Sequence, residues 1–362
     1  MGLITANYKS GDFGVLTEER PSASLPFGGR YRLIDFPLSN MVNSGITTVG
    51  LLTPHMYRSL LDHVGVGKEW ALSRKLGGLF ILPGSVYGMR SGKAKILIRD
   101  LQLNKAFMER GDCDHIVICD ASKIYNIDFS EVEKYHEESG NGITLLYKKG
   151  LFTDSGSEIY LDIVDNEVRG FKTEPNKEGN CFIDAIMLDT KLLFDLMDWY
   201  EDMSYMGLME VITEHISDFR IGAYAFTGYV GPIYDLQSYL ETSQDLLRGD
   251  VRKTLFREDR PVYTKVQDAP PAKYMTGCEV SGSLIASGCI IEGTVENSII
   301  FRDVHIAKGA VVRNSVIMQH GEIGENARLE HVICDKNVTI RADVQISASY
   351  GRPMAINKKE QI

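Results

Sequence analysis

The chain has 362 residues, 44% of them hydrophobic, which is enough to bury the cores of two domains. Its 39 basic and 49 acidic residues give a net charge of −10 with no basic cluster, which argues against nucleic acid and anionic membrane surfaces as partners. Because no apolar run approaches the roughly 20 residues of a membrane span and no signal peptide is recognisable, we expect a cytoplasmic protein.

Residues 1–245 alternate between β-rich runs and helical stretches. The runs "TTVGLLT" (47–53), "HIVICD" (115–120), "GITLLYKKG" (142–150) and "RIGAYAF" (220–226) predict strands, and "DTKLLFDLMDWYEDM" predicts a helix between two of them. This alternation predicts an α/β domain with a mostly parallel, Rossmann-like sheet. Residues 246–275 are charged and punctuated by proline, which predicts a linker.

Residues 276–362 contain a repeat with a period of 17. Val295, Val312, Leu329 and Ile346 align in it, as do the pairs Ile299–Ile300, Val316–Ile317 and Ile333–Cys334. Branched residues about every six positions predict three short strands per coil of a left-handed parallel β-helix of the hexapeptide-repeat type. The alternative, an antiparallel sandwich, would place hairpin dipeptides such as Asn-Gly between strands, and this stretch has none.

The run "PFGGRYRLIDFPLSNMVNSGI" (26–46) carries a family resemblance. It is similar to P-F-G-G-K-[YF]-R-I-I-D-F-x-L-S-N-x-x-N-S-G-I of the bacterial glucose-1-phosphate adenylyltransferases (ADP-glucose pyrophosphorylases), and the similarity extends over nearly the whole chain. The resemblance implies a nucleotidyltransferase-like domain, a β-helix domain, a tetramer and a role in making ADP-glucose for glycogen. Catalytic members use Mg²⁺.

Six residues of this run are candidate remnants of a nucleotide or substrate pocket. They are Gly28, Gly29, Arg32, Asp35, Asn40 and Asn43. The alternative is structural: the glycines permit a tight turn, and the Asp and Asn side chains hydrogen-bond a helix instead of a ligand.

The positions that the family uses for chemistry have different residues here. In the first strand-to-helix loop the family's glycines become Asn7, Tyr8 and Ser10, and its arginine becomes Asp12. Elsewhere the resemblance places Ser22 and Glu174 at two phosphate-binding lysines, and Ser122 and Pro232 at the two metal-binding aspartates. Phe182 and Asp184 replace a serine and a glycine. Because nucleotidyl transfer depends on Mg²⁺ and on cations around the phosphates, we expect no catalytic residue, no metal ligand set and no cofactor in this chain.

The sequence therefore predicts a non-catalytic subunit that binds and modulates a catalytic ADP-glucose pyrophosphorylase homologue, or that self-associates. Two alternatives stay open. The first is an active sugar-phosphate nucleotidyltransferase with a rearranged site, in which Asp120 and Asp235 hold a metal and Lys9, Lys93, Lys95 or Lys172 supplies positive charge. The second is a β-helix acyltransferase that uses His305 or His320 as a base.

Overall fold

The computed structural model describes residues 1–6, 12–53, 56–84, 96–153, 158–202 and 205–362. The strands of the first domain are β1 (Gly2–Thr5), β2 (Pro26–Phe27), β3 (Tyr31–Arg32), β4 (Thr48–Thr53), β5 (Gly78–Pro83), β6 (His115–Asp120), β7 (Lys123–Ile124), β8 (Ile143–Lys149), β9 (Tyr160–Val164), β10 (Glu167–Lys172), β11 (Asn180–Asp189), β12 (Ile221–Ala225) and β13 (Gly231–Pro232). The helices are α1 (Asp35–Asn43), α2 (Arg58–Val64), α3 (Ile98–Leu103), α4 (Lys105–Arg110), α5 (Phe129–Ser139), α6 (Thr190–Trp199), α7 (Leu208–Glu214), α8 (Leu236–Asp245) and α9 (Gly249–Leu255).

Nine of these strands form one twisted sheet in the order β5-β4-β1-β6-β11-β8-β12-β10-β9. Seven strands run in one direction, while β10 and β11 run against their neighbours. The four runs predicted as strands form β4, β6, β8 and β12, and the predicted helix forms α6. The prediction of a mostly parallel α/β sheet is confirmed.

Strand β6 shows why the sheet lies between two layers. Its side chains alternate, so that Ile116 and Ile118 join the hydrophobic core on one face, while Val117 and Cys119 join the core on the other. A strand that is apolar at successive positions is stable only when both faces are covered. The helices supply that cover, and the polar residues that follow β6 are left at the rim of the sheet.

The second domain is the predicted parallel β-helix. Its strands are β14 (Lys273–Tyr274), β15 (Glu279–Ser281), β16 (Leu284–Ile285), β17 (Ile290–Ile291), β18 (Thr294–Glu296), β19 (Ile299–Ile300), β20 (His305–Ile306), β21 (Val311–Arg313), β22 (Val316–Ile317), β23 (Glu322–Ile323), β24 (Arg328–Glu330), β25 (Val332–Cys334), β26 (Thr339–Ile340), β27 (Gln345–Ser347) and β28 (Met354–Ile356). They form three parallel five-stranded sheets, which excludes the antiparallel sandwich. Val295 pairs with Val312, Val312 with Leu329, and Leu329 with Ile346, so the 17-residue register is confirmed.

The interval predicted as a linker, residues 246–275, is more ordered than its composition suggests. It contains helix α9 and strand β14, and β14 pairs with β17 as part of the first coil. Val251 and Leu255 of α9 are buried in a core that contains residues of the first domain and, from the β-helix, Phe301 and Met318. The two domains are therefore joined by a continuous hydrophobic interface.

Within the described chain, no helix has the length and apolar character needed to cross a membrane. The six cysteines are all free thiols. Four of them are buried, and Cys113 and Cys278 are half-buried.

Candidate functional site

The candidate site lies at the carboxyl ends of β1 and β6, the edge where ligands bind in open α/β sheets. Of the first loop, Asn7, Tyr8, Lys9 and Ser10 lie outside the described residues, as do Lys93 and Lys95 farther along the chain. Asp12 is exposed, and its Oδ1 accepts a 3.0 Å hydrogen bond from the Gly14 amide. Its backbone forms a β-bridge with that of Asp235.

Two of the changed metal positions come together. Lys123, which follows Ser122, pairs with Pro232 in the β7–β13 ladder, and the Ile233 amide donates a 2.8 Å hydrogen bond to the Ser122 carbonyl. Neither Ser122 nor Pro232 carries a carboxylate, so these positions offer no charged ligand to a metal ion.

A buried ammonium group lies directly beside them. Lys123 is 2% exposed, and its Nζ donates hydrogen bonds to Oε2 of Glu158 over 2.6 Å and to Oδ2 of Asp184. Burial disfavours the charged form, but the carboxylates of Asp184 and Glu158 outweigh it and hold the pKa of Lys123 well above its usual value. The side chain is therefore a permanent cation locked between two carboxylates.

Asp120, the last residue of β6, holds the turn that follows. Its Oδ1 accepts a 2.5 Å hydrogen bond from the Ser122 amide, and its Oδ2 accepts one of 3.2 Å from Thr5 Oγ1 at the end of β1. Both oxygens thus bond to protein donors. This arrangement does not fit a Mg²⁺ ion held as in the catalytic family, because both oxygens already accept hydrogen bonds from the protein.

Asp235 has a clear structural role as the N-cap of α8. Its Oδ1 accepts hydrogen bonds of 2.7 Å from both the amide and the hydroxyl of Ser238. A capping aspartate satisfies helix amides that would otherwise lack a partner. The carboxylate is directed at its own helix.

The other changed positions lie apart from this cluster. Ser22 begins a short 3₁₀ turn and is half-buried, whereas Glu174 is exposed just beyond β10. Lys172, considered as a substitute cation, lies 3.2 Å from Asp162 Oδ2 on the neighbouring strand β9, and both side chains are exposed.

A cavity of about 490 Å³ opens next to Asp120 and Asp184. Most of its wall is apolar, built from side chains such as Ile118, Phe171 and Phe182. The charged residues among the described lining are Asp120, Asp184, Glu210 and Glu214, and none of that lining is basic. Such a wall repels a phosphate group.

The six candidate remnants lie outside the described lining of this cavity. Gly28 and Gly29 form the tight turn between β2 and β3 with positive φ angles of 58° and 81°, and a side chain on Gly29 would point at Ala286 and the Ile300 carbonyl of the β-helix. The turn therefore contacts the second domain.

The four polar remnants bond within the protein. The Arg32 guanidinium donates to the Ser59 carbonyl over 2.7 Å, and burial lowers its pKa to about 10. The buried Asp35 carboxylate lies 2.5 Å from His63 Nε2. The amides of Asn40 and Asn43 donate to the carbonyls of Tyr125 and Pro261.

The histidines of the acyltransferase hypothesis lie on the outside of the β-helix. His305 is 2.8 Å from Glu292 Oε1. His320 has a φ of 59°. It occupies the same turn position in its coil as Asp303 and Asn337 do in the coils before and after it, and both of these also have positive φ angles. This turn position requires a left-handed backbone, which Asn and Asp adopt most easily among non-glycine residues.

The sequence pattern identifies Asp184 only as a replaced glycine, and it assigns no role to Lys123 or Glu158. Asp184 has a φ of 58°, a backbone conformation that suits glycine. The sequence did contain one signal for this contact: a lysine, Lys123, and an acidic residue, Asp184, both stand at positions where the family pattern has other residues. In the structure these two opposite charges are in contact.

Comparisons with known proteins match two parts of the chain to two families. Residues 14–151 match the family described as nucleotidyl transferase, and residues 270–352 match the GlmU-like C-terminal hexapeptide family. The glycogen biosynthesis protein GlgD of Bacillus subtilis is 34% identical over 95% of this chain and 91% of its own length. GlgD of Geobacillus stearothermophilus is 37% identical over 86% of this chain and 82% of its own. A glucose-1-phosphate adenylyltransferase of Fervidobacterium nodosum is 33% identical over 99% of this chain and 88% of its own.

Proposed function

Since the chain belongs to the family of GlgD and the glucose-1-phosphate adenylyltransferases, we propose that it is a non-catalytic subunit of ADP-glucose synthesis in glycogen formation. In this role it binds a catalytic homologue and changes that partner's activity. The observation that carries the proposal is the buried contact of the Lys123 ammonium with Glu158 and Asp184.

Transfer of a nucleotidyl group to glucose-1-phosphate brings two anionic substrates together, so an active site needs a metal ion and free cations around the phosphates. Here the buried cation is neutralised by two carboxylates, and the described cavity wall carries four acidic residues and no basic one. The charge on the described part of the wall opposes phosphate binding.

The rearranged active site would need Asp120 and Asp235 as metal ligands. Asp235 is directed at the N-terminus of α8, and both oxygens of Asp120 accept hydrogen bonds from Ser122 and Thr5. Using either carboxylate for a metal would break a turn or a helix cap, which costs about 0.5 to 2 kcal/mol for a cap.

Association would act through the β-helix. Its first coils expose apolar side chains, including Tyr274, Met275, Val280 and Ile290. In the proposed assembly these exposed apolar groups are buried against another subunit. A partner whose conformational equilibrium depends on this contact would change its rate or its substrate affinity. A tetramer with the catalytic subunit is the expected assembly, with self-association as the alternative.

The test is a three-part assay of ADP-glucose formation from ATP, Mg²⁺ and glucose-1-phosphate. This chain alone, a catalytic homologue alone and their mixture are compared, and size-exclusion chromatography records co-migration. We expect no turnover by the chain alone, co-migration, and a changed rate or KM in the mixture.

Two results would contradict the proposal. One is turnover by this chain alone that Asp120→Ala abolishes, because the chemistry would then reside in this pocket. The other is a mixture with neither co-migration nor any kinetic change. A Val280→Asp variant serves as the control for association, since it should weaken co-migration and the kinetic effect together.

A further inference from the structure

A second cluster of titratable side chains lies at the opposite end of β6 from Asp120. His115 begins β6 and pairs directly with Asp189, the last residue of β11, while His136 lies on α5. Six residues of β6 place this cluster about 15 Å or more from the cavity end of the strand. It is therefore separate from the proposed functional pocket.

The three side chains converge on one point. Oδ1 of Asp189 lies 3.1 Å from Nε2 of His136 and 3.6 Å from Nε2 of His115, and all three atoms lie within 4.8 Å of one another. In a tetrahedral zinc site with bonds of 2.0 to 2.1 Å, neighbouring ligand atoms are about 3.3 Å apart. Small side-chain shifts would bring these atoms to that spacing.

The outer nitrogens of both rings have partners of the kind that metal-binding histidines use. His136 Nδ1 lies 2.8 Å from Thr144 Oγ1, and His115 Nδ1 lies 3.2 Å from Glu133 Oε1. A hydrogen bond from Nδ1–H to such an acceptor leaves the Nε2 lone pair free for a metal. Both Nε2 atoms are directed at the same carboxylate oxygen.

His115 is poorly satisfied without a cation. Carboxylate oxygens face both of its ring nitrogens, from Glu133 on one side and Asp189 on the other. A neutral imidazole has a single N–H and can donate to only one of them. A metal ion bound to Nε2 would remove the remaining repulsion between lone pairs.

The orientation of the Asp189 side chain is a second, independent observation that favours a metal site. It occupies the N-cap position of α6, where an aspartate normally accepts hydrogen bonds from the helix amides, yet its side chain makes no capping bond. The carboxylate is turned toward the two histidines instead.

We propose that His115 Nε2, His136 Nε2 and Asp189 Oδ1 bind one divalent transition-metal ion of the zinc class. Two imidazoles and a carboxylate suit Zn²⁺ better than Mg²⁺ or Ca²⁺, which prefer oxygen ligands. His136 is buried, whereas His115 and Asp189 are partly exposed, so the ion reaches the site from solvent and water completes its shell. The ion would fasten α5 to the ends of β6 and β11, independently of the function proposed above.

The test uses the full chain after treatment with a chelator. Zinc binding is measured by equilibrium dialysis, and the thermal midpoint is followed with ZnCl₂ and with MgCl₂. We expect one zinc ion per chain and a rise in the midpoint with zinc alone. Co²⁺ should give the visible absorption of a four- or five-coordinate site.

Three variants and one control decide the assignment. His115→Gln and Asp189→Asn, both partly exposed, should abolish the stoichiometric site, and Glu133→Ala should weaken zinc binding about ten- to a hundredfold. His305→Gln, which removes the His305–Glu292 pair on the β-helix, should leave binding unchanged. Absence of zinc binding to the wild type, or binding that persists in both His115→Gln and Asp189→Asn, would overturn the proposal.

Discussion

The guanidinium of Arg20 donates a 2.8 Å hydrogen bond to Oδ2 of Asp335, and both side chains are buried where the α/β domain meets the β-helix. Arg20 also donates from Nε to the Leu16 carbonyl, so its orientation is fixed at two points. The pair thus complements the hydrophobic core that the two domains share.

Replacing Arg20 by Met should destabilise the whole protein by about 3 to 5 kcal/mol, because the buried Asp335 carboxylate loses its counter-ion. Unfolding in urea, followed by circular dichroism, measures the loss. The double variant with Asp335→Leu should recover part of it, since no charge is then left unpaired.

Arg313→Met is the matched control, because it removes an exposed pair with Glu296 on the β-helix. This variant should change the urea midpoint of unfolding little, as is usual for ion pairs in contact with water. Equal losses for Arg20→Met and Arg313→Met would show that the Arg20 pair does not join the domains.

Lys123→Met should destabilise the protein and also make its stability depend on pH. The variant leaves Glu158 and Asp184 buried without their cation, which raises the pKa of a carboxyl in the folded state above its unfolded value. Folding then takes up protons, so the variant should recover stability as the pH falls from 8 to 5. In the wild type the raised pKa of Lys123 keeps its contribution intact through this range, to be lost only in strong alkali.

The measurement is the urea midpoint of wild type and variant at several pH values. Lys134→Met, at an exposed lysine that faces Glu138 on α5, controls for the substitution itself. Combining Lys123→Met with Glu158→Gln and Asp184→Asn should flatten the pH dependence. A Lys123→Met variant as stable as the wild type at pH 8 would mean that the ammonium does not hold the two carboxylates.

The β-helix could be predicted closely because residues one repeat apart in the sequence are paired in neighbouring coils. Val295, Val312 and Leu329 align in the sequence and pair in the structure, since each coil stacks directly on the next. The order of strands in the large sheet was not predictable, because β11 enters between β6 and β8 from far along the chain. Local patterns carry no information about such pairings.

The candidate site was predictable only in part. The sequence identified the changed residues one at a time, but Glu158 lies 35 residues from Lys123 and follows no motif. The sequence predicts a linker where helix α9 lies, because the residues of α9 are mostly polar. Its few apolar side chains indicate a packed helix only once the core that they join is known. Contacts made by single side chains across the fold are the part that one sequence does not reveal.

Lys336, beside the Arg20–Asp335 pair, should make the protein more stable as the pH rises above 7. Burial first, and then the positive charges of Arg32 and Arg20, lower its pKa to about 7, whereas the unfolded chain has a lysine pKa of about 10.4. Between these values the unfolded state holds the extra proton, so the free energy of unfolding increases with pH by at most about 1.4 kcal/mol per unit. Below pH 7 the charge on the half-buried Lys336 is present and opposes folding.

Lys336→Met removes this titration and should therefore stabilise the protein most at pH 6, with the advantage shrinking by pH 9. The difference between the urea unfolding free energies of variant and wild type at each pH isolates the lysine from all other groups. Lys308→Met, at an exposed turn of the β-helix, is the control for the loss of a surface lysine. Parallel curves for Lys336→Met and the wild type would mean that Lys336 keeps its proton, and that the interface between the two domains admits enough water to solvate it.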